Sequence, residues 1–162
     1  LLSVKSPAGV YLFVEIFSGI LIIINLEDKR MLAIVVGLFA IIGALLRDGI
    51  GIVTAHLWHG IFPFATLSVN WIGCFVLGWF NYHIKKLDRV SVYIKTGFGT
   101  GLVGSFTTFS TFSVDTIKLF ETGHITLGLI YLLDSFVGGF LLAYLGMRLG
   151  MVMMNKSGGA VR

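Results

Sequence analysis

Charge is what this sequence has least of: 12% of its 162 residues are Asp, Glu, Lys or Arg, against roughly 25% in a soluble globular domain. The few charges cluster between long apolar runs, so the chain reads as an integral membrane protein. Cysteine occurs once, as Cys74 within an apolar run. That excludes an intrachain disulfide and a thiolate metal cluster, and leaves a small packing residue. Proline occurs twice, as Pro7 and Pro63, each at the edge of an apolar run, which suits a helical bundle. No Lys/Arg run is interleaved with aromatics, so no nucleic-acid partner is expected. No Gly-rich loop runs into Lys-Ser or Lys-Thr, which removes a nucleotide-phosphate site of that type, and no enzyme chemistry is expected.

What the sequence does have is apolar length, with 56% hydrophobic residues and a mean hydropathy of +0.94. A membrane-spanning helix needs roughly 20 apolar residues. Four segments qualify: Leu32–Val53, Phe64–Ile84, Val92–Phe120 and Ile125–Met151. Short connectors join them, leaving no room for a soluble domain. A fifth apolar stretch, Ala8–Leu26, is interrupted by Glu15. Two readings of residues 1–30 stand side by side: an extra N-terminal apolar helix, or sequence upstream of a start at Met31. The expected architecture is all-α, with a four-helix unit over residues 31–162.

Lys85, Lys86, Arg89, Lys95, Lys156 and Arg162 collect at one end of that unit, while the other end carries Lys118 and little else. The positive-inside tendency places both ends of the four-helix unit in the cytoplasm. An extra first helix would put the N-terminus outside.

Polar side chains within such spans are costly and mark function by default. The third span is the densest case. Gly97, Gly99, Gly101 and Gly104 loosen the helix, and Thr107 to Ser113 supply hydroxyls around Phe109 and Phe112. Two uses are open: close packing through small residues, or a helix break that lines a wet cavity. Spacing alone favours packing. Phe109 and Phe112 share a helix face, as do Ser110 and Ser113. Ring edges carry partial positive charge, so the two phenylalanines could assist real donors in holding an anion. In the second span Asn70 offers amide donors, either to a neighbouring helix or to an ion. Tyr131 and Ser135 lie one turn apart in the fourth span, with Gly138 and Gly139 following, and Asp134 points about 100° away from Ser135. Arg47 closes the first span; it could attract anions, pair with Asp48, or snorkel to the interface. His56 and His59 flank Trp58 at a membrane boundary, where an interfacial belt is the commoner role than a metal site.

Taken in order, GALLR, TLSVN-WIG-C-FVLG, TGFGTGLVGSFTTFSTFS and Y-x-x-x-S resemble the Fluc/CrcB fluoride channel family over about Met31 to Met151. Ala65 and Asp115 stand where that family commonly has Gly and Glu. The resemblance implies four-helix subunits, the third helix broken at midmembrane, paired antiparallel into a passive fluoride-selective channel that exports fluoride and limits its toxicity. It also implies a structural Na⁺ at the dimer centre, held by carbonyls that match Gly104 and Thr107. The implied ion pathway matches Asn70, Phe109, Phe112, Ser110, Ser113, Tyr131 and Ser135, with Arg47 at the vestibule. The expected setting is the cell membrane, a prokaryotic inner membrane, crossed several times.

The one-sided Lys/Arg excess adds an expectation of its own. A subunit inserting equally in both orientations would show little bias, so either a homodimer or a heterodimer with an oppositely oriented relative is open. Two other functions compete. A proton-coupled small multidrug exporter of the antiparallel four-helix type would want a carboxylate in the first span, and Met31–Leu46 has none. A non-conducting partner subunit would rest on small-residue packing alone.

Overall fold

The computed structural model describes the backbone of residues 8–84 and 90–158, and the side chains of residues 28–84 and 90–154. The chain divides into two compact units, Leu1–Ile34 and Val35–Arg162. The described residues are mostly helical and include no strand. The first unit contributes the beginning of helix α1, which runs over Ala8–Leu57. The stretches Ala8–Leu26 and Leu32–Val53 therefore lie on one helix. Residues 1–7 and most of the Lys85–Ser91 connector, with Lys85, Lys86 and Arg89, lie outside the described residues, as do Arg162 and the side chain of Lys156.

In the second unit, Pro63 precedes α2 (Phe64–His83), where its missing N–H costs nothing. The third apolar segment is not one helix. It comprises α3 (Val92–Thr96), a π-helical stretch (Gly97–Val103), the single turn α4 (Gly104–Phe106), and then α5 (Phe109–Glu121). Between α4 and α5 the chain is extended, with ψ 155° at Thr107 and 121° at Thr108. The glycines here loosen the helix into the wider π form rather than ending it. A Schellman turn closes α5: Gly123 takes φ +79°, its N–H donates to Phe120, and the His124 N–H donates to Leu119. Helix α6 follows (Ile125–Gly158).

Helices α2 and α6 form the main packed pair and run in the same direction. Gly138 of α6 meets the Trp71 ring, Gly146 meets the backbone at Phe75, and Gly150 meets Trp79 and Tyr82. At Gly78 and Gly146 an added Cβ would collide with the opposing backbone, so only glycine permits this approach. Leu67, Leu119 and Tyr131 make the buried cluster, flanked by Phe62, Trp71, Phe112 and Leu127. Most other large apolar residues are exposed, Leu45 and Phe136 among them. That distribution fits lipid as the surrounding solvent. Asp28–Leu57, Phe64–His83 and Ile125–Met154 are each long and apolar enough to cross a membrane. The broken segment offers no single helix of that length, because α5 spans only about 20 Å at 1.5 Å per residue.

Candidate ion pathway

The break between α4 and α5 is held open from α2. The Asn70 side chain takes up both polar groups of one residue: its Oδ1 accepts from the Thr108 N–H at 2.8 Å, and its Nδ2 donates to the Thr108 carbonyl at 3.0 Å. An amide is the neutral side chain that supplies one acceptor and one donor side by side. Thr108 in turn caps α5, its Oγ1 accepting from the Thr111 N–H at 3.2 Å. In an unbroken α-helix the amides of Thr108 and Thr111 would bond the carbonyls of Gly104 and Thr107. Here both amides donate to side chains instead. The carbonyls of Gly104 and Thr107 are thereby released from their helical partners.

A cavity of about 440 Å³ opens at this point. Its lining brings together Asn70, Gly104, Thr107, Thr108, Phe109, Phe112 and Ser135. The Phe109 and Phe112 rings lie 5.8 Å apart, and Phe112 is 5.2 Å from the Tyr131 ring. Phe109 is 80% exposed while Phe112 is partly buried, so the two rings have different surroundings despite their shared face. Tyr131 is fully buried, yet its hydroxyl has no hydrogen-bond partner among the described residues, and the same holds for the buried Ser135 Oγ. A buried hydroxyl left unpaired costs about 1–3 kcal/mol. Two of them one turn apart form a track of donors available to something other than protein.

Ser110 and Ser113 are placed differently. The Ser113 hydroxyl donates to the Phe109 carbonyl at 2.9 Å, and Ser110 Oγ lies 3.2 Å from Thr108 Oγ1. Neither lines the 440 Å³ cavity.

Arg47 belongs to a second cavity of about 490 Å³, which it lines with Asp48, Thr66, Thr108 and Thr111. Its Nη1 donates to the Ser105 carbonyl at 3.2 Å, while its Nε contacts Asp48 Oδ1 at 3.4 Å. The ion pair is solvent-exposed and contributes little to stability. Its effect is to tether the guanidinium beside α4, at a cavity that shares Thr108 with the first. Gly43, one turn before Arg47, sits directly on the Leu102 carbonyl, which brings α1 close enough for that reach.

Two contacts near the pathway were not legible in the sequence. Buried Thr66 donates to Asp115 Oδ2 at 2.7 Å, linking α2 to α5. Ser105 Oγ lies 2.7 Å from the Ala40 carbonyl of α1. Both pairs join residues far apart in the chain, and no local spacing signals them. The capping role of Thr108 does have a signal, since Thr precedes a helical run in TTFSTF. Among the described residues no group of three His, Cys, Asp or Glu could hold a metal ion.

A family model described as "CrcB-like protein, Camphor Resistance (CrcB)" matches residues 34–147, which contain every residue of both cavities. The chain belongs to the CrcB family. A protein of Bacillus cereus named "Fluoride-specific ion channel FluC 1" is 41% identical over 131 residues, covering 81% of this chain and 91% of the relative. One of the same name from Desulfitobacterium hafniense is 46% identical over 106 residues, covering 65% and 91%. "Fluoride-specific ion channel FluC 2" of Listeria monocytogenes is 41% identical over 123 residues, covering 75% and 92%. With this family and these helices, the chain is a multi-pass protein of the cell membrane, and its family is one of ion channels rather than enzymes.

Proposed function

We propose that this CrcB-family chain is a subunit of a passive, fluoride-selective channel that lets fluoride leave the cell and so limits its toxicity. The observation that carries this reading is the pair of buried, unpartnered hydroxyls, Tyr131 and Ser135, beside a cavity that also holds Asn70 and the Phe109–Phe112 pair. Fluoride is small and strongly hydrated. A selective path must replace its water with hydrogen-bond donors, each weak enough to permit release. The Tyr131 and Ser135 O–H groups and the second N–H of Asn70 supply those donors, and the phenylalanine edges add a weaker attraction. Ser110 and Ser113 extend the path only by turning from their present partners. Arg47 raises the local anion concentration at the adjoining cavity.

In this reading the broken segment crosses the membrane as the third of four spans. The parallel course of α2 and α6 supports it, because a chain running parallel twice must return in between. Two such subunits pair antiparallel, bringing their breaks together about a two-fold axis. The exposure of Gly104 and Phe109 supports a partner at this surface. The residues present suit a structural Na⁺: the Gly104 and Thr107 carbonyls are neutral oxygen ligands released from helical bonding, and two subunits would contribute four. When bound, the cation neutralises converging carbonyl dipoles. The Lys/Arg bias along the sequence favours one fixed orientation, with an oppositely oriented relative as partner. Labelling each terminus from either side of the membrane tests that point, and equal populations of the two orientations would leave a homodimer.

Ion efflux from liposomes containing the purified protein, comparing fluoride with chloride, tests the function. Fluoride release well above that of chloride is expected. Equal rates, or no fluoride release when a related subunit is also supplied, would overturn it.

A further inference from the structure

Four of the chain's five methionines, Met147, Met151, Met153 and Met154, fall close together near the end of α6. Where α6 passes the last turn of α2 the helices are in close contact. A Cβ added at Gly150 would lie 3.0 Å from the Trp79 carbonyl and 3.3 Å from the His83 backbone nitrogen. That approach gathers three side chains. The Trp79 and His83 rings stack, with centroids 5.6 Å apart and planes 21° from parallel. The Trp79 Nε1–H donates to the Met153 sulfur at 3.3 Å. Imidazole and thioether therefore meet the same indole, one on its face and the other at its edge. The His83 Nδ1 is buried and has no hydrogen-bond partner among the described residues. A buried polar nitrogen is costly to leave unpaired, so this one is open to a ligand that the protein does not supply.

We propose that His83 and Met153 form a binding site for a soft monovalent metal ion of the Cu⁺ class, with Trp79 as its aromatic wall. Ligand chemistry selects the occupant. A thioether is a soft donor that favours Cu⁺ over Zn²⁺, Mg²⁺ or Ca²⁺, and imidazole also suits copper. Structural zinc needs four ligands, and no group of three His, Cys, Asp or Glu among the described residues could supply them. A soft monovalent ion is held by fewer. The indole face is the best aromatic surface for a cation. His83 lies in the last turn of α2, where the free carbonyls carry partial negative charge and stabilise a cation. Met153 has the rotational freedom to turn its sulfur from the indole edge toward the imidazole. A bound ion would tie the end of α2 to α6, away from the cavity at the break.

The test is equilibrium dialysis of the full-length protein against Ag⁺, a redox-inert probe of Cu⁺ chemistry, in chloride-free detergent buffer. The protein carries Cys74→Ser, which removes its single thiol. Retention of about one Ag⁺ per chain is expected. His83→Phe keeps a ring stacked on Trp79 without the nitrogen, and Met153→Leu keeps the bulk without the sulfur. Each should weaken retention by at least about tenfold, the lower end of what even an outer partner is worth to a metal site. Trp79→Phe should retain the ion but lose the change in indole absorption that accompanies binding. Met31→Leu, outside the cluster, should change neither. Helix content by circular dichroism confirms that each variant is folded. No retention by the Cys74→Ser protein, or unchanged retention in either His83→Phe or Met153→Leu, overturns the proposal. The readout is metal retention and does not depend on fluoride conduction.

Discussion

Replacing Asn70 by Leu removes the side chain that bonds both backbone polar groups of Thr108, at 2.8 and 3.0 Å. Leu keeps similar bulk, so packing against the half-buried surroundings survives and the change isolates hydrogen bonding. Each backbone group left unpaired costs about 1–3 kcal/mol when buried. The cavity beside Thr108 admits water, so the expected loss for the pair is about 2–3 kcal/mol, the low end of the combined range. A loss of that size lowers the melting temperature of a chain this long by roughly 5–10 °C. The substitution also frees the Thr108 N–H to return to the Gly104 carbonyl, closing the helix across the break. Thermal unfolding in detergent reads the first effect, and amide hydrogen exchange at Thr108 reads the second. Fluoride efflux from liposomes should fall at least tenfold, since both a donor and the shape of the path are lost. Asn70→Asp gives the contrasting arm. It keeps the acceptor for Thr108 N–H but sets a carboxylate against the Thr108 carbonyl and a passing anion, so flux should fall further than stability. An Asn70→Leu protein with unchanged melting temperature and unchanged efflux would refute the assignment of Asn70 as the brace of the break.

The remaining expectations concern the rings, the cation and the helix pair. Phe109→Ile or Phe112→Ile should reduce fluoride efflux severalfold while helix content and oligomer size stay as in the native protein; unchanged flux in both would remove the rings from the path. Replacing Na⁺ on both sides of the membrane by a bulky organic cation should impair fluoride efflux, and full activity without any small cation would refute the carbonyl site at Gly104 and Thr107. Gly146→Leu should separate α2 from α6, because its side chain would occupy the position of the Phe75 backbone. A loss of more than about 3 kcal/mol is expected there from overpacking against rigid backbone, read as poor recovery of folded protein. Native-like yield and melting would show that the helices do not approach as described.

Much of this molecule is legible in one dimension because a bilayer imposes a simple rule. Apolar length decides what can span: Leu32–Val53 and Ile125–Met151 lie within helices long enough to cross, and Phe64–Ile84 runs one residue past a third. The membrane setting, the helical class and the family follow from composition and motif order. The same one-dimensional view placed the polar residues on faces and singled out Asn70, Phe109, Phe112, Tyr131 and Ser135 as exceptions needing a reason. It could not give those reasons, since each depends on a neighbour distant in the chain.

The break shows the division most clearly. Four glycines suggested where the third segment weakens, and the family resemblance implied a break there with free carbonyls at Gly104 and Thr107. Yet Gly104–Phe106 stays helical, the earlier glycines widen into a π-helical stretch, and the chain opens at Thr107 and Thr108. Glycine lowers the cost of leaving the α-helix, but it does not choose where to leave. Asn70 chooses, by outcompeting the Gly104 carbonyl for one amide from 38 residues away. The same holds for Tyr131 and Ser135. Their spacing put two hydroxyls on one face, while only the tertiary packing, with Phe62 and Phe112 against Tyr131, left both oxygens buried and without a partner among the described residues. Local chemistry determined which groups could meet an ion; the tertiary structure decided which are free to do so, because hydrogen-bond partners are allotted in space rather than along the chain.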